Sequence, residues 1–83
     1  MPQRKRIEIY SAGCPCCREA EALVRRIAGD EHDIEILHMF HAGVANQAWR
    51  KGIRSVPAVA VNGTLASPIG GGVDGEMLRL ALV

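Results

Sequence analysis

The sequence predicts an α/β domain in which three helices flank a mixed four-stranded sheet, in the order β-α-β-α-β-β-α. Strand-like apolar runs alternate with helix-like runs in the first half of the chain, and a β-α-β unit places its two strands parallel. Later, the dipeptide Asn62-Gly63 separates two short apolar runs, which predicts a tight hairpin and adds an antiparallel pair. Neither an internal repeat nor a linker interrupts the 83 residues, so we expect one domain over residues 1–83.

The predicted strands are short apolar runs bounded by residues that favour turns. They cover residues 7–10, 34–39, 58–61 and 64–66. Ser11, Ala12 and Gly13 end the first strand, and Pro68 with the glycines at 70–72 closes the last. The Asn62-Gly63 turn joins the third strand to the fourth.

The predicted helices cover residues 18–28, 42–51 and 75–82. One face of the first helix carries four apolar residues spaced i, i+3, i+4 and i+7, which are Ala20, Leu23, Val24 and Ile27. Gly29 is a typical helix stop. In the last helix Asp74 is the expected cap, and Val73 and Leu78 are placed to form a hydrophobic staple.

The composition excludes several classes of function. With 23% charged residues and a net charge of +1, the chain lacks the basic surplus of a nucleic-acid-binding domain. No apolar run reaches the length of a membrane span, and no apolar core follows the basic N-terminal residues, as a secretory signal requires. The three cysteines lie too close together to staple distant parts of a secreted fold. We therefore expect a cytoplasmic monomer without nucleic-acid or membrane partners.

The segment Cys14-Pro15-Cys16-Cys17 lies where the first predicted strand gives way to the first helix. The free backbone N–H groups and the dipole of a helix N-terminus favour a thiolate, and two thiols three residues apart are typical of a dithiol redox catalyst. Pro15 suits the first helical position, where its missing N–H is not needed. Three clustered thiols also suit a soft ion such as Cu(I) or Zn²⁺, or an iron–sulfur cluster, with His38 or His41 as a further ligand. The residues alone leave both functions open.

Two motifs, in this order, resemble the thioredoxin fold and its glutaredoxin branch in particular. The first is Cys14-Pro15-Cys16-Cys17, which resembles the Cys-Pro-aromatic-Cys site of glutaredoxins with a cysteine in the aromatic position. The second is Val56-Pro57, followed by Asn62-Gly63, which resembles the family's Val-Pro segment. A weaker match is the run Gly71-Gly72-Val73-Asp74 before the last helix. The order of elements extends the resemblance over nearly the whole chain.

This resemblance implies the roles of individual residues. Cys14 is expected to be the nucleophile and Cys17 the resolving thiol. The bond before Pro57 is expected to be cis, with the backbone of Val56 pairing with an extended substrate. In glutaredoxins the glycine turn before the last helix holds the γ-glutamyl end of glutathione. The residues that the resemblance implies for substrate binding are Pro15, Cys16, Val56, Pro57, Gly71, Gly72 and Asp74.

We therefore expect a glutaredoxin-like thiol–disulfide oxidoreductase that reduces protein or low-molecular-weight disulfides and needs no metal or organic cofactor. Its electron donor is either glutathione or a reductase. The sequence lacks the lysine that often precedes the first cysteine of glutaredoxins, and Ala58 stands where a charged residue often follows the cis-proline. The alternative function is a soft-metal or iron–sulfur module that uses the same three cysteines.

Overall fold

The computed structural model describes residues 4–68 and 72–83, and its elements follow the predicted order. The strands are β1 (Arg6–Ser11), β2 (Asp33–His38), β3 (Ala58–Val61) and β4 (Thr64–Leu65). The helices are α1 (Pro15–Ala28), α2 (Val44–Arg50) and α3 (Gly75–Ala81). Among the described residues, no helix is both long enough and apolar enough to cross a membrane.

The structure extends the predicted helix of residues 18–28 back to Pro15, the residue predicted to suit the first helical position, with Cys14 as the cap. The predicted start of α2 at residue 42 is wrong. Gly43, with φ of +84°, is left-handed and therefore cannot lie inside a right-handed helix, so α2 begins at Val44. The other ends agree within one residue.

The sheet has the strand order β2-β1-β3-β4. β1 runs parallel to β2 and antiparallel to β3, and β3 pairs antiparallel with β4. Asn62 and Gly63 connect β3 to β4 with φ values of 50° and 85°, the left-handed region that this two-residue turn requires. The predicted mixed sheet and its hairpin are therefore confirmed.

Apolar side chains pack on both faces of this sheet. α1 and α3 contribute to a cluster on one face that contains Ile7, Ile9, Val24, Ala28, Val59, Val61, Ala66 and Leu78. α2 contributes to a second cluster that contains Tyr10, Val44, Ala48, Ile53, Ala58 and Ala60. Because successive residues of a strand point to opposite faces, β1 and β3 supply side chains to both clusters. The two central strands are thus held from both sides.

The carboxyl end of β1 and the start of β3 meet at one end of the sheet, since Tyr10 pairs with Ala58. The chain leaves β1 after Ser11 and enters α1 at once. It reaches β3 through Val56-Pro57, and this peptide bond is cis, as predicted. The antiparallel pairing therefore brings the cysteine loop and Pro57 to the same end of the molecule.

Candidate dithiol site

Cys14 is the N-cap of α1, and its sulfur takes the place that a serine or aspartate oxygen usually occupies. Its backbone is extended, with φ of −75° and ψ of 164°, after a left-handed Gly13 that redirects the chain out of β1. The backbone N–H of Cys17 donates to the Cys14 Sγ at 3.4 Å. Pro15 follows at the first helical position. The local sequence therefore aims the sulfur of Cys14 at the free N–H groups of the helix.

The sulfurs of Cys14 and Cys17 are 2.9 Å apart. All three cysteines are free thiols: Cys14 is partly exposed, Cys16 is exposed and Cys17 has 0% of its surface exposed. A disulfide has an S–S length of about 2.0 Å, so the Cys14–Cys17 pair needs only a small approach to form one. Since Cys17 is buried behind its partner, Cys14 is the member of the pair that an external disulfide can reach.

The thiol of Cys14 donates a hydrogen bond to the sulfur of Cys17, and this bond separates the acidities of the two groups. It raises the pKa of Cys14, against the lowering effect of the Cys17 backbone N–H. Burial alone would raise the pKa of Cys17, but hydrogen bonds from Cys14 and from the Ala12 N–H outweigh it and lower that pKa. The pair therefore gives up its first proton more readily than an ordinary thiol and its second less readily.

The sulfur of Cys17 lies in a buried, polar environment that the sequence did not predict. The N–H of Ala12 donates to it at 3.4 Å. Ser11, which is fully buried, donates from its hydroxyl to Glu21 Oε2 at 3.3 Å and accepts from the N–H of Gly13 at 3.1 Å. One signal was available in the sequence, because Cys17 and Glu21 are four residues apart on one face of α1.

A groove of about 240 Å³ runs beside the dithiol pair. Its described lining consists of Cys16, Glu19, Ala20, Leu23, Pro57, Gly72 and Val73. Three of the residues predicted to bind substrate, Cys16, Pro57 and Gly72, thus share one groove. Val56 lines a separate groove of about 270 Å³, together with Trp49 and Arg54. Pro15 is exposed on the first turn of α1.

The thioredoxin domain family model matches residues 5–74, a span that contains the cysteine cluster, the Val56-Pro57 segment and the whole sheet. The chain belongs to the thioredoxin domain family. It is also 45% identical, over 80 residues, to a protein of Acidithiobacillus ferrooxidans described as "Uncharacterized 9.0 kDa protein in mobE 3'region". That alignment covers 95% of this chain and 94% of the relative. Membership in this family, with two adjacent cysteine sulfurs, supports a redox role.

The turn before α3 in this thioredoxin domain already makes hydrogen bonds within the protein. The N–H of Gly72 donates to the carbonyl of Pro57 at 3.1 Å. Asp74 caps α3 by accepting from the N–H groups of Glu76 and Met77 at 3.0 and 3.2 Å. A carboxylate bound at the Gly72 N–H would have to displace the Pro57 carbonyl. The predicted glutathione contacts of Gly72 and Asp74 stay predictions, and Gly71 lies outside the described residues.

The three cysteines of the domain do not converge on one point. Within residues 4–68 and 72–83, no three histidine, cysteine or acidic side chains are arranged to hold a metal ion. Cys16 lines the groove, whereas Cys14 and Cys17 contact each other. His38 and His41 pack edge to face, with 5.6 Å between their ring centroids. The geometry therefore gives no support, within a single chain, to the soft-metal alternative.

Proposed function

We propose that this thioredoxin domain is a glutaredoxin-like thiol–disulfide oxidoreductase. The observation that carries the proposal is the 2.9 Å contact between a sulfur that solvent reaches and a sulfur that is fully buried. This asymmetry suits a two-step exchange, since one thiol meets the substrate and the other completes the reaction. Both thiols belong to one chain, so a monomer contains the whole site.

In the first step the Cys14 sulfur attacks one sulfur of the substrate disulfide. Its proton passes along the existing hydrogen bond to the thiolate of Cys17, which the surrounding donors favour. A new bond forms between Cys14 and the substrate, the substrate S–S bond breaks, and the first substrate thiolate departs with the bonding electrons. The product is a mixed disulfide on Cys14.

In the second step the Cys17 sulfur attacks the Cys14 sulfur, and its proton passes to the departing second sulfur of the substrate. The Cys14–Cys17 disulfide forms, and the second substrate thiolate leaves with the electrons of the mixed disulfide. The substrate is thereby reduced by two electrons and the cysteine pair is oxidised. An external dithiol, or two molecules of a monothiol such as glutathione, then returns the pair to the reduced state.

The groove beside the pair favours a polypeptide substrate. Glu19 is the one charged side chain among the described residues that line it, and Ala20, Leu23 and Val73 are apolar. A carboxylate there repels the two carboxylates of each glutathione unit, whereas it suits a neutral or basic peptide segment. We therefore propose protein disulfides as the main substrates and the reducing cytoplasm as the setting, with a reductase or glutathione as the electron donor.

Mass mapping of the mildly oxidised protein tests this function. We expect a Cys14–Cys17 disulfide with Cys16 still free, and we expect Cys17→Ser to accumulate a mixed disulfide on Cys14 when given a protein disulfide. A protein disulfide should also be reduced with a higher kcat/KM than glutathione disulfide. Cys16→Ser is the matched control, because it removes a neighbouring thiol and leaves the pair intact. Oxidation that joins Cys16 to either partner, or a Cys17→Ser variant that traps nothing, would contradict the proposal.

A further inference from the structure

Helix α3 exposes large apolar side chains on the side opposite to the core. Leu80 is 70% exposed and Met77 is 39% exposed. They stand three residues apart, so they are neighbours on one face of the helix. Leu78, between them in the sequence, is fully buried and holds the opposite face against the sheet. Contiguous exposed apolar side chains of this kind mark a surface that contacts another molecule.

The apolar surface continues from α3 onto strand β4, which lies at the edge of the sheet. A groove of about 370 Å³ runs between the two elements and is larger than the groove beside the dithiol pair. Its apolar lining includes Leu65 of β4, with Met77 and Ala81 of α3. These three residues and Leu80 form what we call the α3–β4 surface.

The charges beside the α3–β4 surface are opposite in sign and one helical turn apart. Glu76 and Arg79 are both exposed, and their spacing places them along the same rim of the surface. Lys5, which lines the groove, is already held by two backbone carbonyls near the C-terminal end of α3, at 3.0 and 3.1 Å. A second copy of α3 in the antiparallel direction would bring its Arg79 to Glu76 and its Glu76 to Arg79. The surface is therefore complementary to itself, as a two-fold interface requires.

We propose that the α3–β4 surface joins two copies of this chain in a two-fold dimer with antiparallel α3 helices. Met77 of each copy packs beside Leu80 of the other, and Glu76 of each copy faces Arg79 of the other. The apolar contact supplies the affinity, and the two charge pairs at the rim fix the direction in which the helices pair. The dimer departs from the monomer expected from the sequence, because composition does not show which apolar residues stay on the surface.

The proposed dimer leaves both dithiol sites open. β3 begins beside the dithiol pair, after Pro57, and ends at Val61, which lines the groove of the α3–β4 surface. The surface therefore lies toward the other end of the sheet, and each chain keeps a complete site of its own. The inference does not depend on the proposed exchange, and disulfide reduction per chain should be equal in monomer and dimer.

Sedimentation velocity of the reduced protein tests the dimer, in a Cys16→Ser parent that excludes disulfide-linked pairs through the exposed thiol. Over a concentration range of about 1 μM to about 1 mM, which covers weak association, the mean mass should rise from the 9.0 kDa of one chain toward twice that value. Leu80→Glu should remain a monomer throughout, because it places a carboxylate at the centre of the contact. Phe40→Glu is the matched control, since Phe40 is 82% exposed but follows β2 at the opposite edge of the sheet, and it should dimerise like the parent.

Charge reversal at the rim tests the antiparallel arrangement. Glu76→Arg alone should weaken the dimer by about 10-fold, because both rim pairs become pairs of like charge. Adding Arg79→Glu should restore the affinity of the parent, since each pair is then reversed but opposite in sign again. Thermal unfolding and disulfide reduction per chain show that each variant is folded.

Three outcomes would overturn the inference. A parent that stays at the mass of one chain at the highest concentration would show that the α3–β4 surface is not a dimer contact and would leave it to a different protein. Dimerisation that Phe40→Glu abolishes and Leu80→Glu does not would place the contact on another face. A double charge reversal that stays as weak as the single one would rule out the antiparallel pairing.

Discussion

The N-termini of α1 and α3 are built on the same plan and differ in the atom that caps them. Cys14 caps α1 with a sulfur that accepts one backbone N–H at 3.4 Å. Asp74 caps α3 with a carboxylate oxygen that accepts two, at 3.0 and 3.2 Å. Each capping residue has an extended backbone. The carboxylate accepts from more of the free backbone N–H groups at its helix end. The sulfur leaves more of these N–H groups available to a negative charge.

Both residues cap a helix from an extended backbone, but one cap contributes to stability and the other to chemistry. A carboxylate cap has no reactive partner within its turn, and its contribution is to the free energy of unfolding. The sulfur cap faces a second sulfur at 2.9 Å, so the same helix end holds a reducible pair. A thiol is a poor substitute for serine or aspartate as a cap. We infer that α1 gives up some capping strength in exchange for a nucleophile.

Replacing the sulfur cap with an oxygen cap should have the largest effect. Cys14→Ser retains a good N-cap, so the free energy of unfolding should stay within about 0.5 kcal/mol of the natural value. Disulfide reduction should fall by more than about 10³-fold, because the nucleophile is lost. Chemical denaturation and a steady-state reductase assay would measure the two quantities. Retained activity in a well-folded Cys14→Ser protein would remove Cys14 from the mechanism.

The opposite change, at the carboxylate cap, should affect stability and leave the intrinsic reactivity of the Cys14 thiol unchanged. Asp74→Ala should destabilise the domain by about 1 kcal/mol, which lowers Tm by about 4–8 °C in a domain of this size. Asp74→Asn is the matched control, since asparagine caps as well as aspartate. Alkylation of Cys14 by iodoacetamide should proceed at the same rate in both variants. A slower alkylation in Asp74→Ala alone would mean that the two helix ends are coupled.

The sequence was enough to predict the sheet because the signals for it are local. The alternating Ile7 and Ile9, the helix face of α1 and the Asn62-Gly63 turn each lie within a few residues. The contact between Ser11 and Glu21 depends on how α1 packs against the end of β1, and no pattern of spacing encodes that packing. For the same reason the hydrogen bond from the Gly72 N–H to the Pro57 carbonyl could not be predicted.

The smallest expected effect concerns the acidity of the sulfur cap. In the pair, the hydrogen bond to Cys17 and the charge on Cys17 both raise the pKa of Cys14. Cys17→Ala removes these two influences and keeps the backbone N–H of residue 17, which lowers that pKa. The pH at which alkylation of Cys14 reaches half its maximal rate should therefore fall in Cys17→Ala, compared in a Cys16→Ser background. A midpoint that stays in place or rises would mean that helix α1, rather than its partner sulfur, sets the acidity of Cys14.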